Sequence, residues 1–143
     1  MVGDRIFYEP LIHVLGTLEE AWIRAQQGPT DLVVRDGTIQ RFEYTYELAT
    51  RTLRRYLAMQ ALSGEEIARM GFKNLIREAN VRGILRGDVA VWESFREARN
   101  WTSHTYRSPV AAEVFAKIPA FIGEVKFFLE ELQRREGEED GGH

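Results

Sequence analysis

The side chains best suited to chemistry are concentrated in one stretch, Arg96–Tyr106, which reads REARNWTSHTY. Histidine exchanges protons near neutral pH, and arginine can clamp a phosphate and stabilise developing negative charge. On a helix, side chains three and four residues apart share a face, so Asn100, Ser103 and His104 are expected to be neighbours. These residue types indicate a phosphate-binding site with an acid–base group.

Arg99 and His104 do not converge on one straight helix, because five residues of separation place them about 140° apart around its axis. They meet if the helix unwinds near its end, which the following Ser108-Pro109 step favours. They also meet if a two-fold axis brings one pair from each of two subunits to one groove. A purely structural interpretation stands beside both, since His and Arg near a helix C-terminus interact favourably with the helix dipole.

Composition narrows the classes of function. The chain has 143 residues, 44% of them hydrophobic and 29% charged, which is typical of one globular domain. The absence of cysteine excludes disulfides, thiol catalysis and Cys-based metal sites, and three histidines leave little room for a His-rich site. We therefore expect no metal and no cofactor. The net charge of −3 makes nucleic-acid binding by overall charge improbable, so such binding needs a local patch.

The two ends of the chain carry no membrane or targeting signal. Residues 1–10 include charged side chains and lack the apolar core of a signal peptide, and no run of 18 apolar residues occurs. We expect a cytoplasmic protein without membrane contact. The end of the chain, RREGEEDGGH, is charged and Gly-rich, which predicts a single helical domain over residues 1–133 and a disordered acidic tail over residues 134–143.

The elements that must position the motif are helices. Apolar residues recur at steps of three and four along the chain, which predicts an all-α, up-and-down bundle of four to five helices. The predicted helical stretches are roughly 11–25, 37–62, a short turn from Ser63, 72–79, 88–102 and one from Ser108 onwards. Pro119 predicts a kink or break in the last of these. Leu32–Val34 carry a weak strand signal.

The motif resembles a known signature. Arg99–Tyr106, RNWTSHTY, looks like the R-x4-H-x-Y signature of HEPN-domain proteins, and most resembles the branch called nucleotidyltransferase substrate-binding proteins, whose usual text is RNxTSHTY. Arg35–Leu48, RDGTIQRFEYTYEL, is similar to that family's RDGxIQRFExTxEL, and Ile76–Ala79 matches its IREA. Two departures concern Arg107, where the family more often has an acidic residue, and Ala49–Arg51, which replaces the usual AWK.

The resemblance implies an architecture and a partner. HEPN proteins are helical bundles that usually form homodimers, or higher homo-oligomers, with their motif helices facing each other. Small members typically pair with a separately encoded minimal nucleotidyltransferase. Some of these pairs are toxin–antitoxin systems, in which the HEPN member is a metal-independent ribonuclease silenced by transfer of AMP to the motif tyrosine.

The resemblance also implies roles for individual residues. Arg99 and His104 would be the catalytic pair and Tyr106 the modification target. Five further residues would either hold the motif in place or bind nucleotide or RNA: Asn100, Ser103, Arg96, Gln40 and Glu43. Glu47 matches another polar position of the family. An arginine cluster of Arg96, Arg99, Arg107 and Arg41 would offset the acidic net charge.

Three classes of function remain open at this point. The first is a ribonuclease in which His104 takes a proton from an RNA 2′-hydroxyl and Arg99 stabilises the phosphoryl oxygens. The second is a non-catalytic subunit that binds nucleotide or substrate for the nucleotidyltransferase. The third is a structural interaction protein. The first predicts RNA cleavage that is lost in His104→Ala. The second predicts nucleotide binding and complex formation without cleavage. The third predicts that changing Arg99 and His104 alters stability or assembly but no activity.

Overall fold

A computed structural model describes residues 5–61 and 63–141, with side chains as far as residue 138. The first four residues of the expected domain, Leu62, and the last two residues of the expected tail lie outside this description. The helices are α1 (Glu9–Gln27), α2 (Leu32–Gln60), α3 (Gly64–Arg69), α4 (Phe72–Val81), α5 (Val89–Asn100) and α6 (Ser108–Gly141), with a 3₁₀ turn at Thr102–His104. No strand occurs in the described part of the chain, and the expected all-α bundle is confirmed.

Side-chain caps set the start of three helices. The Asp88 carboxylate accepts from the backbone N–H of Val91 at 3.1 Å and caps α5, near the start of the helical stretch predicted there. Ser63 accepts from the N–H of Glu66 at 3.3 Å and starts the short α3, where a short turn is predicted. Each cap satisfies an N–H group that would otherwise lack a partner in the first turn.

Three local expectations differ from the structure. The weak strand signal at Leu32–Val34 is wrong, because Asp31 accepts from two N–H groups there and starts α2 five residues earlier than the apolar stripe suggests. No break occurs at Pro119, which lies inside a continuous α6. Finally, α6 continues through residues 134–141, where a disordered tail was expected. Arg135 ties this end to the bundle by donating to the Tyr56 hydroxyl at 3.2 Å.

Helix α2 is the central element, since every other helix packs against it. The core beneath the motif is aromatic and centres on Phe121 of α6. Its ring lies 4.9 Å from that of Phe42 on α2 and 5.3 Å from that of Phe95 on α5, both edge-on. Such edge-to-face packing favours one relative placement of three helices. The joint between α5 and α6 is therefore fixed against α2.

No helix among the described residues is long and apolar enough to cross a membrane.

Candidate functional site

The motif occupies the joint between α5 and α6. Helix α5 ends at Asn100, the 3₁₀ turn follows, and α6 begins at Ser108. Tight backbone bonds close the turn: the N–H of His104 donates to the carbonyl of Trp101 at 2.9 Å, and that of Arg107 donates to the carbonyl of His104 at 3.1 Å. The α-helix thus ends before His104, as the first of the two arrangements considered for the motif requires, but this unwinding does not bring Arg99 and His104 into a hydrogen bond. Trp101 packs against the core and anchors the joint from below.

Arg99 is held by two carboxylates of α2. Its Nη2 lies 2.5 Å from Oε1 of Glu47, and its Nη1 lies 3.6 Å from Oε2 of Glu43. About a third of its side chain is exposed (32%), so the guanidinium remains accessible from solvent. The hydrogen bond to Glu47, followed by the charges of Glu43 and Glu47, raises the pKa of Arg99 above its ordinary value. The guanidinium is permanently charged and has a fixed orientation.

Helix α2 also fixes the 3₁₀ turn. The Thr102 hydroxyl donates to Oε2 of Glu43 at 2.6 Å, and it lies 2.8 Å from the carbonyl oxygen of Arg99. Further along, Nη2 of Arg35 donates to the carbonyl oxygen of Thr105 at 3.4 Å. Glu43 therefore contacts both Arg99 and the turn that carries His104. The sequence analysis assigns no functional role to Thr102. The i,i+4 spacing of Glu43 and Glu47 does indicate that α2 presents two carboxylates on one face.

His104 and Tyr106 are exposed side by side. Their ring centroids lie 6.3 Å apart with the rings steeply inclined, and Tyr106 is 78% exposed. Ser103 is exposed next to them. An exposed imidazole can exchange protons with a substrate or with water, and an exposed phenol is open to an enzyme that modifies it. Among the described side chains, no hydrogen bond joins His104 to Arg99, so one subunit alone does not pair the two groups directly.

The remaining sequence candidates are dispersed around this joint. Asn100 is exposed at the last position of α5, and Gln40 is exposed on α2, one turn before Glu43. The Arg96 guanidinium lies over the Phe72 ring of α4, 5.1 Å from its centroid. Arg41 does not join the expected arginine cluster, because its Nη1 donates to the carbonyl of Thr17 on α1 at 2.7 Å.

A buried tyrosine lies beneath the arginines of α5. Burial raises the pKa of Tyr46 to about 12, and the positive charges of Arg96 and Arg99 act in the opposite direction. The side chain is 7% exposed, and its ring packs on Phe42 and Phe121. Tyr46 is therefore neutral over the physiological range and supports the site through packing.

The site offers proton transfer and anion binding. Its components are an imidazole, a phenol and a guanidinium, and the described residues contain no group of three or more His, Cys, Asp or Glu side chains that could hold a metal ion. Such a set suits reactions at a phosphate in which charge and protons are handled by side chains.

Known proteins share both the sequence and the fold. The family described as nucleotidyltransferase substrate binding protein like matches residues 8–134. A protein of Haemophilus influenzae named "Probable ribonuclease HepT" is 36% identical over 134 residues, which are 94% of this chain and 91% of that protein. A solved Haemophilus influenzae structure, described as revealing the fold of a substrate binding domain of a nucleotidyltransferase, superposes with a TM-score of 0.82 at 32% identity. That match covers 89% of this chain and 99% of the other.

Proposed function

This chain belongs to the family of nucleotidyltransferase substrate-binding proteins within the HEPN-domain proteins, and on that premise we propose that it is a metal-independent ribonuclease that pairs with a minimal nucleotidyltransferase. In this proposal Arg99 and His104 are its catalytic residues, and the pair of proteins acts as toxin and antitoxin. Support comes from the relative named as a probable ribonuclease and from the R-x4-H motif.

The reaction uses the RNA itself as nucleophile. His104 takes the proton from a 2′-hydroxyl, the 2′-oxygen bonds to the adjacent phosphorus, and the bond from phosphorus to the 5′-oxygen breaks. An imidazolium then returns a proton to the departing 5′-oxygen. The products are a 2′,3′-cyclic phosphate and a 5′-hydroxyl, so atoms and protons balance without water or metal. Arg99 stabilises the negative charge on the phosphoryl oxygens.

The observation that carries the proposal is the exposure of His104 at a joint whose arginine is oriented by α2. Glu47 and Glu43 hold the Arg99 guanidinium, and Glu43 also binds the turn that bears the histidine. Because no hydrogen bond joins Arg99 to His104 among the described side chains, we assign the complete site to a homodimer. There, the Arg99 and His104 of each subunit would surround one groove. One neutral imidazole would act as the base and the imidazolium of the second subunit as the acid, so that the two histidines exchange protonation states in each reaction.

Tyr106 is the proposed site of control by the nucleotidyltransferase. Its exposed phenol can receive AMP from a partner enzyme, and its ring lies 6.3 Å from that of His104. A nucleotide attached there would bring bulk and a negatively charged phosphate to the imidazole. In the modified protein, RNA could no longer reach His104, and cleavage would stop.

A second function is favoured by one specific observation. The charge of Arg99 is already balanced by two carboxylates, as it would be in a subunit that binds substrate without cleaving it. The solved relative is itself described as a substrate binding domain of a nucleotidyltransferase. This alternative predicts nucleotide binding and complex formation with unmodified protein, but no cleavage.

The discriminating experiment is RNA cleavage in EDTA by wild type, His104→Ala and His13→Ala. His13 is an exposed histidine of α1, outside the motif, and serves as the matched control. Loss of a general base lowers the rate by about 10²–10⁴-fold, so His104→Ala should be inactive and His13→Ala fully active. Intact mass must first establish that Tyr106 is unmodified. Folded, unmodified wild type that cleaves none of several RNAs would reject the ribonuclease in favour of the binding subunit.

A further inference from the structure

An open groove of about 710 Å³ runs along α2, opposite α3 and α4, outside the motif. We call it the arginine groove; it is lined on α2 by Glu47, Arg51, Arg54 and Arg55, and on α4 by Phe72. Three guanidinium groups therefore face one carboxylate in a protein whose net charge is −3. A concave, locally positive surface of this kind attracts polyanions.

The arginines of the groove have different duties. Arg54 is structural, since its Nη1 donates to the carbonyls of Ile67 at 2.8 Å and Met70 at 2.9 Å and so holds the end of α3 against α2. Arg51 and Arg55 are exposed one helical turn apart, and neither forms a hydrogen bond or ion pair with the part of the chain that the structure describes. Their charges are available to a ligand, at a spacing of about 6 Å along the helix.

The groove also offers flat surfaces. Phe72 is half-buried in its wall, and the Arg96 guanidinium of α5, outside the lining of the groove, packs over that ring and fixes it. Nucleobases stack on aromatic rings and on arginine planes, whereas the phosphates of a single strand pair with basic side chains. An acidic peptide would use the charges but not these planes.

The groove is continuous with the proposed catalytic arginine. Glu47 lines the groove and at the same time accepts a hydrogen bond from Arg99 at 2.5 Å. A strand lying along Arg55 and Arg51 therefore arrives at the group that would stabilise the scissile phosphate.

We infer that the arginine groove binds single-stranded RNA on one side of the cleavage site, through phosphate contacts to Arg51 and Arg55 and base stacking at Phe72. This inference rests on the proposed function, because it names the substrate class and the path of the strand. RNA binding in the groove can nevertheless be tested separately from cleavage, because these contacts are made whether or not the bound RNA is cleaved.

The test measures, by fluorescence anisotropy, the binding of a labelled, unstructured oligoribonucleotide of about 12 nucleotides. The parent protein is His104→Ala, so that cleavage does not interfere, and the variant adds Arg51→Ala and Arg55→Ala. Loss of two phosphate contacts should weaken binding about 25-fold in 0.1 M salt and reduce the slope of log K against log salt by about 1.4. Arg24→Ala with Arg77→Ala, in the same parent, removes two exposed arginines outside the groove and should leave both quantities unchanged.

Each outcome decides the inference. The double variant Arg51→Lys/Arg55→Lys preserves the charge and should retain the salt slope, which separates loss of contacts from misfolding. Equal affinity of the parent and the Arg51→Ala/Arg55→Ala variant would overturn the groove while leaving the ribonuclease standing, because wild-type cleavage is measured separately. Groove-dependent binding without wild-type cleavage would uphold the groove and reject the ribonuclease. A parent that binds no RNA at about 0.1 mM would also overturn the inference; loss of nucleotidyltransferase binding in the double variant would then assign the groove to a protein.

Discussion

At the residue scale, the central fact is that the Arg99 guanidinium is already ion-paired with two carboxylates before any phosphate binds. Glu47 and Glu43 orient its guanidinium but also compete with any phosphate for it. Charge-assisted bonds to a carboxylate and to a phosphate are similar in strength, so an entering phosphate can share or replace one carboxylate at modest cost. The arrangement favours precise placement of the guanidinium over maximal electrostatic attraction.

Glu43 is expected to act as a positioning residue. Glu43→Ala removes the acceptor of Thr102 and one partner of Arg99, so the turn that bears His104 should loosen. We expect kcat for RNA cleavage to fall at least about tenfold with KM little changed, because misplacement of reacting groups acts on the transition state. Glu43→Gln keeps an oxygen that can accept from Thr102 and should restore most of kcat. Equal loss in Glu43→Ala and Glu43→Gln would contradict this role.

Tyr46 gives the site a predictable response to alkali. Its pKa is raised to about 12 in the folded protein, above the ordinary value of 10, because burial disfavours the phenolate. The corresponding stabilisation is complete below pH 10 and is lost as the pH rises from 10 towards 12, on the order of 2 kcal/mol. The free energy of unfolding of Tyr46→Phe should therefore fall less steeply than that of wild type over this range. The free energies come from denaturant titrations between pH 9 and pH 11.5. If they depend on pH in the same way for wild type and Tyr46→Phe, the pKa of Tyr46 is not raised.

The sequence singles out the motif residues, but it does not identify the side chains that hold them. Arg99, His104 and Tyr106 stand within one short stretch, and the resemblance to a family signature assigns them their expected roles. Their partners are more than 50 residues away in the chain: Glu47 for Arg99 and Glu43 for Thr102. One sequence holds no signal for which face of α2 meets the end of α5, because this depends on how the core packs.

At the element scale, the joint before α5 depends on close backbone approach. Glu124 of α6 is 6% exposed and accepts from the N–H of Gly87 at 2.7 Å, while the same carboxylate pairs with Arg86 at 3.0 Å. Asn80 adds a bond from its amide to the Gly87 carbonyl at 2.8 Å. These contacts set the start of α5, and thereby the direction in which its last turn presents Arg99.

Gly87 should be intolerant of any side chain. A Cβ at this position would meet Oε1 of Glu124 at 2.7 Å and Cγ1 of Val91 at 2.9 Å. Gly87→Ala should lower the free energy of unfolding by about 1–3 kcal/mol through overpacking. Gly16→Ala is the matched control, since a Cβ there, inside α1, meets nothing within 4 Å and should stabilise the helix by up to about 1 kcal/mol. If denaturation showed that Gly87→Ala and Gly16→Ala change the free energy of unfolding in the same direction, this explanation would be wrong.

The ends of the helices were the least predictable part of the fold. The Asp88 and Ser63 caps are local signals and predict the starts of α5 and α3 correctly. Asp31 is an equally local cap, but the apolar residues Leu32–Val34 suggested a strand. Helix α6 runs across Pro119 because tertiary packing on both sides outweighs the lost backbone bond.

At the scale of the whole molecule, the residues just before α1 contact the last turns of α6. Arg5 donates to Oε1 of Glu136 at 2.7 Å, and the Tyr8 hydroxyl donates to the same carboxylate. Arg135 donates to the carbonyl of Arg82 at 2.6 Å, at the end of α4. The charged end of the chain was expected to be a tail because it lacks apolar anchors; its arginines and glutamates instead bind polar groups of the bundle.

Truncation tests this view of the C-terminus. A chain ending at Gln133 should be less stable than one ending at Glu138. Only the longer chain retains the bonds of Arg135 to Tyr56 and Arg82 and the bonds that Glu136 accepts from Arg5 and Tyr8. We expect a difference of at least about 1–2 kcal/mol in the free energy of unfolding from the two hydrogen bonds of Arg135 alone. Identical thermal or denaturant curves for the two chains would mean that residues 134–138 behave as the tail first expected.

The fold class was predictable because the helical period of apolar residues persists over nearly the whole chain. The central position of α2 was not, since periodicity identifies a buried face without naming what covers it. Every other helix packs on α2, and so it alone can connect the arginine of the motif, the turn that follows and the arginine groove.

The chemistry of the RNA ends tests the central claim most directly. Wild-type protein with unmodified Tyr106, incubated with RNA in EDTA, should produce 2′,3′-cyclic phosphate and 5′-hydroxyl ends, and His104→Ala should produce neither. This result would establish attack by the 2′-hydroxyl with His104 as the base. Intact RNA, or fragments that end in a 3′-hydroxyl and a 5′-phosphate, would contradict the mechanism, as would equal cleavage by His104→Ala.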